Sequence, residues 1–151
     1  LDAIKLALPL LGPVIERLAL SKFARAFGVL YAAGVHYPRA VELGAEACGN
    51  RYLGAQIRSA IPRLERGATL SDALSQGRLS RSLLVRLLQT GEQTGNIDGM
   101  MAKAAQHYDD EAHTQIRRLA VTVVPVAVII MGLIIGAMVL RFYVDLYSGL
   151  M

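Results

Sequence analysis

Apolar residues recur at helical spacing through most of this chain. Phe23, Phe27 and Leu30, for example, lie three or four residues apart, which places them on one face of an α-helix. Stripes of this kind occupy residues 23–31, 38–48, 53–64, 70–74, 83–88 and 97–119. No segment alternates convincingly with a period of two. The pattern therefore predicts an all-α fold, with a bundle of about six short helices and no strands.

Glycines and prolines mark where these helices begin and end. Three glycines each follow an apolar stripe and precede a polar stretch, as expected for a left-handed C-cap. They are Gly34, Gly67 and Gly95. Pro38 suits the first turn of the second helix, and Pro62 predicts a kink or a break in the third stripe. Thr69 with Asp72 resembles a capping box that opens the fourth helix.

A long uncharged stretch follows the sixth stripe. Residues 119–140 read LAVTVVPVAVIIMGLIIGAMVL and reach about 33 Å as a helix, enough to cross the hydrocarbon core of a membrane. A buried core helix is the alternative, but a domain of this size is too small to cover one on all sides. We therefore predict one transmembrane helix, continuous with the helix before it. Gly132 and Gly136 have the spacing that lets another helix approach closely, although glycine is also common in membrane helices.

The charges around this stretch predict its orientation. Every Lys and Arg except Arg141 precedes it, and Arg117 and Arg118 stand directly before it. Because positive residues favour the cytoplasmic side, we expect the helical bundle to be cytoplasmic. The predicted division is a membrane-proximal lead-in at 1–15, a cytoplasmic helical domain at 16–118, a transmembrane helix at 119–141 and a short extracytoplasmic tail at 142–151.

Composition adds two limits to this picture. The chain has 151 residues, of which 54% are hydrophobic and 19% are charged, so it has the length of one domain and an apolar content typical of a membrane protein. Cys48 is its only cysteine, which excludes an internal disulfide and thiol-rich zinc sites. The sequence starts with Leu1 and shows no secretory signal, so we expect it to be part of a longer protein.

The stretch TGEQTGNIDGMM at residues 90–101 combines two glycines with a carboxylate. Gly91 and Gly95 bracket Glu92, but no strand precedes them and no Gly-Lys-Ser/Thr ending follows, which argues against a phosphate-binding loop. We interpret these three residues as a joint between two helices, with Asn96 as the N-cap of the second. Glu92 itself is either a solvated side chain or reverse cap, or a partly buried carboxylate that ties helices together through backbone or arginine hydrogen bonds.

One pair of residues has the spacing of a metal site. His107 and Glu111 are four positions apart and share a helix face, whereas His113 points elsewhere. A solvated polar face is the simpler interpretation, and we predict no catalytic residue, no metal and no cofactor. A small metal-dependent membrane enzyme built on His107 and Glu111 is an alternative function.

Positive charge is concentrated between residues 51 and 86. Seven arginines accompany only Glu65 and Asp72 in this segment. Such a surface can dock acidic proteins or anionic lipid headgroups, so an anionic-lipid-binding membrane adaptor is a second alternative. A solvated helix surface without a partner is the simpler interpretation. Without interleaved aromatic residues or a known motif, we predict no nucleic-acid binding. The arginines expected to contact a partner are Arg58, Arg63, Arg66 and Arg86.

The order of several motifs resembles the type II secretion F domain, the helical domain of the inner-membrane platform protein in type II secretion and type IV pilus assembly. The matching stretches are KFARAFGVLYAAGVHYPRAVELGAEACGN (22–50), IPRLERGATLSDALS (61–75) and LLQTGEQTGNIDGMMAKAAQHYDDEA (87–112). The apolar span with its early proline also matches. Members usually carry two such domains, and this chain looks like the C-terminal half.

This resemblance implies a function. It implies a non-enzymatic scaffold of the bacterial inner membrane, with the bulk of this chain in the cytoplasm, that couples a cytoplasmic assembly ATPase to pilin or pseudopilin subunits. The implied partners are that ATPase, other inner-membrane assembly proteins, pilin or pseudopilin, further copies of the same protein in a homo-oligomer, and membrane lipid.

Overall fold

The computed structural model describes the backbone of residues 2–148 and, within it, the side chains of residues 12–77, 79–118, 121, 124–146 and 148. These described residues form seven α-helices and one 3-10 helix, and no strand occurs among them. The α-helices are α1 (Asp2–Ala32), α2 (Tyr37–Ala47), α3 (Arg51–Arg58), α4 (Ile61–Glu65), α5 (Leu70–Leu74), α6 (Leu83–Thr94) and α7 (Ile97–Ser148). The 3-10 helix, Gly77–Arg81, lies between α5 and α6 in the chain. The all-α prediction is confirmed.

The first helix is longer than predicted. α1 extends N-terminally from the 23–31 stripe and runs through Gly12 and Pro13 without interruption. Proline has a φ compatible with a helix, but it removes one backbone donor and its ring crowds the carbonyl one turn earlier, at a cost of about 3 kcal/mol. Val14 and Leu20 are buried and continue the apolar face of the predicted stripe toward the N terminus. Tertiary burial of this face therefore outweighs the local cost of the proline.

The third apolar stripe is split, as Pro62 predicts. α3 ends at Arg58, and α4 starts at Ile61 with Pro62 in its first turn, where a missing amide donor costs little. The 3-10 helix was not predicted. Its sequence, GRLSR, offers only Leu79 to the core and so carries no apolar repeat from which a helix could be recognised.

Two compact units divide the chain between His113 and Thr114. The first unit is built around a core in which the Phe23 and Phe27 side chains of α1 have no solvent exposure. α2 lies so close to α1 that a β-carbon added to Gly44 would come within 3.0 Å of the Phe23 ring. Aromatic rings continue this contact toward the start of α2, with centroids of Tyr31 and Tyr37 5.5 Å apart. Burying each such side chain stabilises the fold by about 1.5–3 kcal/mol, so this centre holds the bundle together.

Side-chain caps begin three of the shorter helices. Each cap accepts a hydrogen bond from a backbone N–H that the first helical turn would otherwise leave without a partner. The bonds run from Leu53 N–H to Asn50 Oδ1 at 3.1 Å, from Asp72 N–H to Thr69 Oγ1 at 3.2 Å and from Val85 N–H to Ser82 Oγ at 3.4 Å. The Thr69 half of the predicted capping box is therefore present.

The corner between α6 and α7 depends on two glycines. Gly95 adopts a left-handed φ of 71°, and Asn96 Oδ1 accepts from the N–H of Gly99 at 3.2 Å, so both predicted caps are confirmed. A β-carbon on Gly91 would stand 2.9 Å from the Cα of Ile97, closer than β-carbons come to backbone in proteins. Only glycine therefore lets these two helices approach as they do. The same left-handed φ occurs at the other two predicted corners, Gly34 and Gly67.

The second unit contains the C-terminal part of α7. Among the described residues, the segment Val124–Leu146 is the one helical stretch long and apolar enough to cross a membrane, and none of it is buried. The predicted bounds of 119–141 stay a prediction, because the side chains of residues 119, 120, 122 and 123 lie outside the described residues. The apolar sequence continues beyond Arg141 through Val144 and Leu146.

The predicted packing glycines of this segment lie open. No heavy atom lies within 4 Å of a β-carbon added to Gly132 or Gly136 in the described structure, so their packing against another span stays a prediction. The predicted lead-in at 1–15 and tail at 142–151 fall partly outside the described residues, and their boundaries also remain predictions.

Candidate functional site

Glu92, on α6, reaches across to the first turn of α5. Its Oε1 accepts from the N–H of Leu70 at 2.5 Å and from that of Ser71 at 3.3 Å. Its Oε2 accepts from the Ser71 hydroxyl at 2.5 Å and from the Ser71 N–H at 3.3 Å. Leu70 and Ser71 are buried, so water has little access to these donors. The carboxylate thus makes backbone hydrogen bonds of the kind considered in the second interpretation of this residue.

The complete first turn of α5 is satisfied by side chains. The Glu92 carboxylate accepts hydrogen bonds from the N–H groups of Leu70 and Ser71, and the Thr69 hydroxyl oxygen accepts one from the N–H of Asp72. A helix of five residues is unstable alone, because nucleation costs more than so few backbone bonds return. The carboxylate and the threonine hydroxyl therefore help to fix α5 in place.

These contacts correct one detail of the predicted joint. Gly91 and Gly95 shape the corner between α6 and α7, as expected, but the hydrogen bonds that the structure describes for Glu92 do not cross that corner. It ties α6 to α5, which lies earlier in the chain. The helical spacing around residue 92 carries no information about a partner more than twenty positions away.

The Glu92 carboxylate also acts on Tyr37, a residue that sequence reasoning did not single out. Burial raises the pKa of Tyr37 to about 12, with further contributions from its hydrogen bond to Tyr31, the charge of Tyr31 and the Glu92 carboxylate. The negative charge of Glu92 therefore contributes to the raised pKa of Tyr37 on α2, in addition to binding the N–H groups of α5.

Two of the predicted partner-binding arginines lie on α3 and α4, and a third, Arg66, directly follows α4. Arg58 is exposed in the last turn of α3. Arg66 is also exposed, and its Nε donates to the carbonyl oxygen of Pro62 at 2.9 Å. Arg63 is half-buried, and its Nη1 donates to the carbonyl oxygen of Asp72 at 3.1 Å, so it links α4 to α5. Arg63 therefore has a structural role in addition to its predicted one.

The fourth arginine, Arg86, lines a separate cleft that also contains the predicted metal pair. This cleft has a volume of about 440 Å³ and is bounded by side chains of α1, α6 and α7. Glu111 Oε1 lies 3.4 Å from His107 Nε2, and Glu111 Oε2 accepts from Arg17 Nε at 2.7 Å. Arg17 was not predicted as a site residue, because it lies 94 positions from its partner in the chain.

The predicted metal pair, His107 and Glu111, is close together but has no third ligand beside it among the described side chains. Among the described side chains, no group of three or more His, Cys, Asp or Glu residues is placed to hold a metal ion. One oxygen of Glu111 is already occupied by Arg17. A guanidinium this close disfavours a second cation at the same carboxylate.

Tyr108 lines the same cleft and supports α6. Its hydroxyl oxygen accepts from the N–H of Leu84 at 3.2 Å, in the first turn of that helix. Burial raises the pKa of Tyr108 above its ordinary value of 10.0. The hydroxyl therefore stays protonated at neutral pH and serves as a helix cap.

Comparison with known proteins decides the family. The family described as type II secretion system (T2SS), protein F, matches residues 23–144. The chain belongs to this family. The match begins in the C-terminal part of α1 and includes the rest of the bundle and nearly all of the apolar segment, which confirms the resemblance drawn from the sequence motifs.

Relatives of this F-family chain come from pilus assembly and from secretion. It is 34% identical over 147 residues to the type 4 fimbrial assembly protein PilC of Pseudomonas putida, covering 95% of this chain and 36% of that protein. It is 29% identical to the type IV pilus assembly protein PilC of Myxococcus xanthus, covering 97% of this chain and 35% of the relative. It is 30% identical over 111 residues to the type II secretion system protein F of Aeromonas hydrophila, covering 74% of this chain and 29% of that protein.

This F-family chain therefore spans about a third of the length of these relatives and corresponds to their C-terminal part. Both kinds of machine, pilus assembly and type II secretion, are represented among them.

Proposed function

We propose that this chain is part of a non-enzymatic assembly platform in the bacterial inner membrane, serving a type II secretion or type IV pilus machine. In this proposal the bundle lies in the cytoplasm and the Val124–Leu146 segment crosses the membrane. The platform couples an assembly ATPase to pilin or pseudopilin subunits, and the protein forms homo-oligomers within the machine.

One observation carries the proposal: the family match extends from the bundle through the exposed apolar helix. The match covers residues 23–144, so the bundle and the apolar segment belong to one family unit. An apolar helical stretch of 23 residues with no buried part exposes its side chains to its surroundings, and such side chains are stable in the hydrocarbon core of a membrane but not in water. Arg117 and Arg118 precede this stretch, which favours a cytoplasmic bundle.

The proposed role of Glu92 is to keep the bundle stiff. Its carboxylate joins α5 to α6, and Gly91 allows the close contact between α6 and the start of α7. A bundle in which these helices move together can transmit a displacement, whereas a bundle with a loose α5 dissipates it.

Replacing Glu92 with Lys tests this role in the intact machine. Lysine cannot accept the two backbone hydrogen bonds and puts a positive charge beside helix N–H groups, so we expect reduced pilus or secretion output. The protein should still be found in the membrane in normal amount, since the apolar segment is unchanged. Full output from this variant, at normal abundance, would refute the role given to Glu92.

The placement in the membrane is tested separately by cysteine labelling. Cys48 is buried, so a new cysteine at the exposed positions Tyr52 or Ser148 reports on one side each. In intact cells, an impermeant maleimide should label Ser148→Cys and spare Tyr52→Cys until the membrane is opened. The opposite pattern would overturn the orientation.

Replacing His107 and Glu111 together with Ala separates the scaffold from the metal-enzyme alternative. A scaffold should retain most of its output, whereas loss of a metal-dependent activity in the double variant would favour the enzyme.

A further inference from the structure

All the excess positive charge of this chain lies in one segment. Residues 51–86 hold seven arginines and two carboxylates, which gives the segment a formal charge of +5, more than the +4 of the whole chain. The remainder is therefore slightly acidic. The segment runs from the start of α3 to the first turn of α6 and is called the arginine segment below.

The arginines outside the arginine segment are paired with carboxylates in the first unit. The structure shows three such ion pairs, Arg17 with Glu111, Arg25 with Asp109 and Arg39 with Glu42. Within the arginine segment, none of the arginines whose side chains are described makes an ion pair with a described residue. The side chain of Arg78 lies outside the described residues. Outside this segment the bundle neutralises its own arginines, whereas the described arginines of the segment have no carboxylate partner among the described residues.

The composition of the arginine segment is that of a protein-binding surface. It contains no lysine, although lysine and arginine are equally effective at attracting anionic lipids. Arginine is enriched and lysine depleted at protein interfaces, because the guanidinium binds carboxylates in a bidentate manner. Tyr52 lies between Arg51 and Arg58 on α3 and is 70% exposed, which adds the aromatic residue that such surfaces favour.

We infer that the exposed side of α3, on which Arg51 and Arg58 lie two turns apart on one face with Tyr52 beside Arg51, docks an acidic surface of another protein. The inference rests on the proposed function, since it takes the partner to be a component that meets this platform. Its recognition chemistry is carboxylate groups of Asp and Glu held by guanidinium forks, with the Tyr52 ring at the edge of the contact. Anionic lipid and nucleic acid are the competing occupants, and the experiment below distinguishes them.

Photo-cross-linking from position 52 tests the inference in membranes of a cell that assembles the machine. Tyr52 is replaced with p-benzoylphenylalanine in the full protein, and Val29, which is 67% exposed on α1, receives the same replacement as a control. The cross-linker at 52 is combined with R51Q/R58Q, which removes both charges, or with R51K/R58K, which keeps the charges and removes the forks.

We expect a protein adduct from position 52 whose linked peptide is rich in Asp and Glu. R51Q/R58Q should lower its yield at least about tenfold, because a single charge-assisted hydrogen bond already corresponds to that factor. R51K/R58K should give an intermediate yield, and the Val29 adducts should not change. Reversing the linked carboxylates to Arg, together with R51E/R58E, should restore the adduct.

Several results would overturn the inference: no protein adduct at 52, an adduct with lipid or nucleic acid alone, or a yield unaffected by R51Q/R58Q. Pilus or secretion output is measured in the same strains. Normal output without an acidic protein adduct defeats this inference alone, whereas a machine that works fully without the chain defeats the proposed function.

Discussion

Replacing Glu92 with Ala should loosen α5 without unfolding the rest of the bundle. The substitution removes the acceptor of the Leu70 and Ser71 N–H groups and of the Ser71 hydroxyl. A hydrogen bond to a charged group contributes about 1.5–3 kcal/mol, and a buried donor left without a partner costs about 1–3 kcal/mol. Water reaches part of the opened site, so we expect a total loss of about 3 kcal/mol.

Glu92→Gln should cost less than Glu92→Ala. The amide oxygen can still accept from one backbone N–H, but the charge is lost and the amide nitrogen meets the remaining donor. A loss of about 1.5 kcal/mol is therefore expected. Glu46→Gln is the matched control, because Glu46 is exposed on α2 and the same chemical change there should stay within about 0.5 kcal/mol.

Amide hydrogen exchange of the full chain in detergent micelles measures the effect at the right atoms. Exchange at Leu70 and Ser71 should accelerate about 100-fold in Glu92→Ala, as 3 kcal/mol of lost protection implies. Exchange at Phe27 and Met101, in the core of the bundle, should change far less. Unchanged protection at Leu70 and Ser71 would refute the reasoning, because the carboxylate would then not be holding those donors.

Two further predictions concern the corner between α6 and α7 and the half-buried Tyr37. Gly91→Ala should destabilise the chain by about 1–3 kcal/mol, because the new β-carbon would stand 2.9 Å from Ile97 Cα. Gly12→Ala is the control and should not destabilise the chain, because no atom lies within 4 Å of its new β-carbon. Chemical denaturation of both variants in micelles measures the difference. The pKa of Tyr37 is raised to about 12 in the folded state, so its contribution to stability is complete below pH 10 and is lost as the pH rises from about 10 to 12. Ultraviolet titration should show one tyrosine fewer in this late range in Tyr37→Phe; an identical titration curve above pH 10 would contradict the assignment.

The elements predicted well from the sequence are those whose signal is local. The apolar stripes became helices because burial of one face is the main contribution to helix stability in a protein. The corner at Gly95 and the N-cap at Asn96 were also predictable, since left-handed φ and a first-turn acceptor are requirements of a few adjacent residues. The break before Pro62 follows from the missing amide donor in the same way.

The contacts that define the candidate sites could not be predicted in this manner. Glu92 was singled out by its position between two glycines, but its partners on α5 lie 21 and 22 positions earlier. Arg17 contacts Glu111 across 94 positions, and neither neighbouring sequence contains a signal for the other. Apolar periodicity says which face of a helix is buried but not which helix lies against it.

The polar contacts around α5 connect the two parts of the molecule for which we propose roles. α5 has five residues and is bound on one side by Glu92 of α6 and on the other by Arg63 of α4, whose guanidinium donates to the Asp72 carbonyl oxygen. α4 directly follows α3, so under our proposal a protein docked on α3 would press on α4 and, through Arg63, on α5. The Glu92 carboxylate passes that displacement to α6, and Gly91 sets the contact of α6 with the start of α7. A hydrophobic contact would let these helices slide, but directional hydrogen bonds to buried backbone donors resist sliding. A bundle meant to transmit movement has a physical reason to hold its smallest helix by a carboxylate and a guanidinium rather than by apolar packing alone.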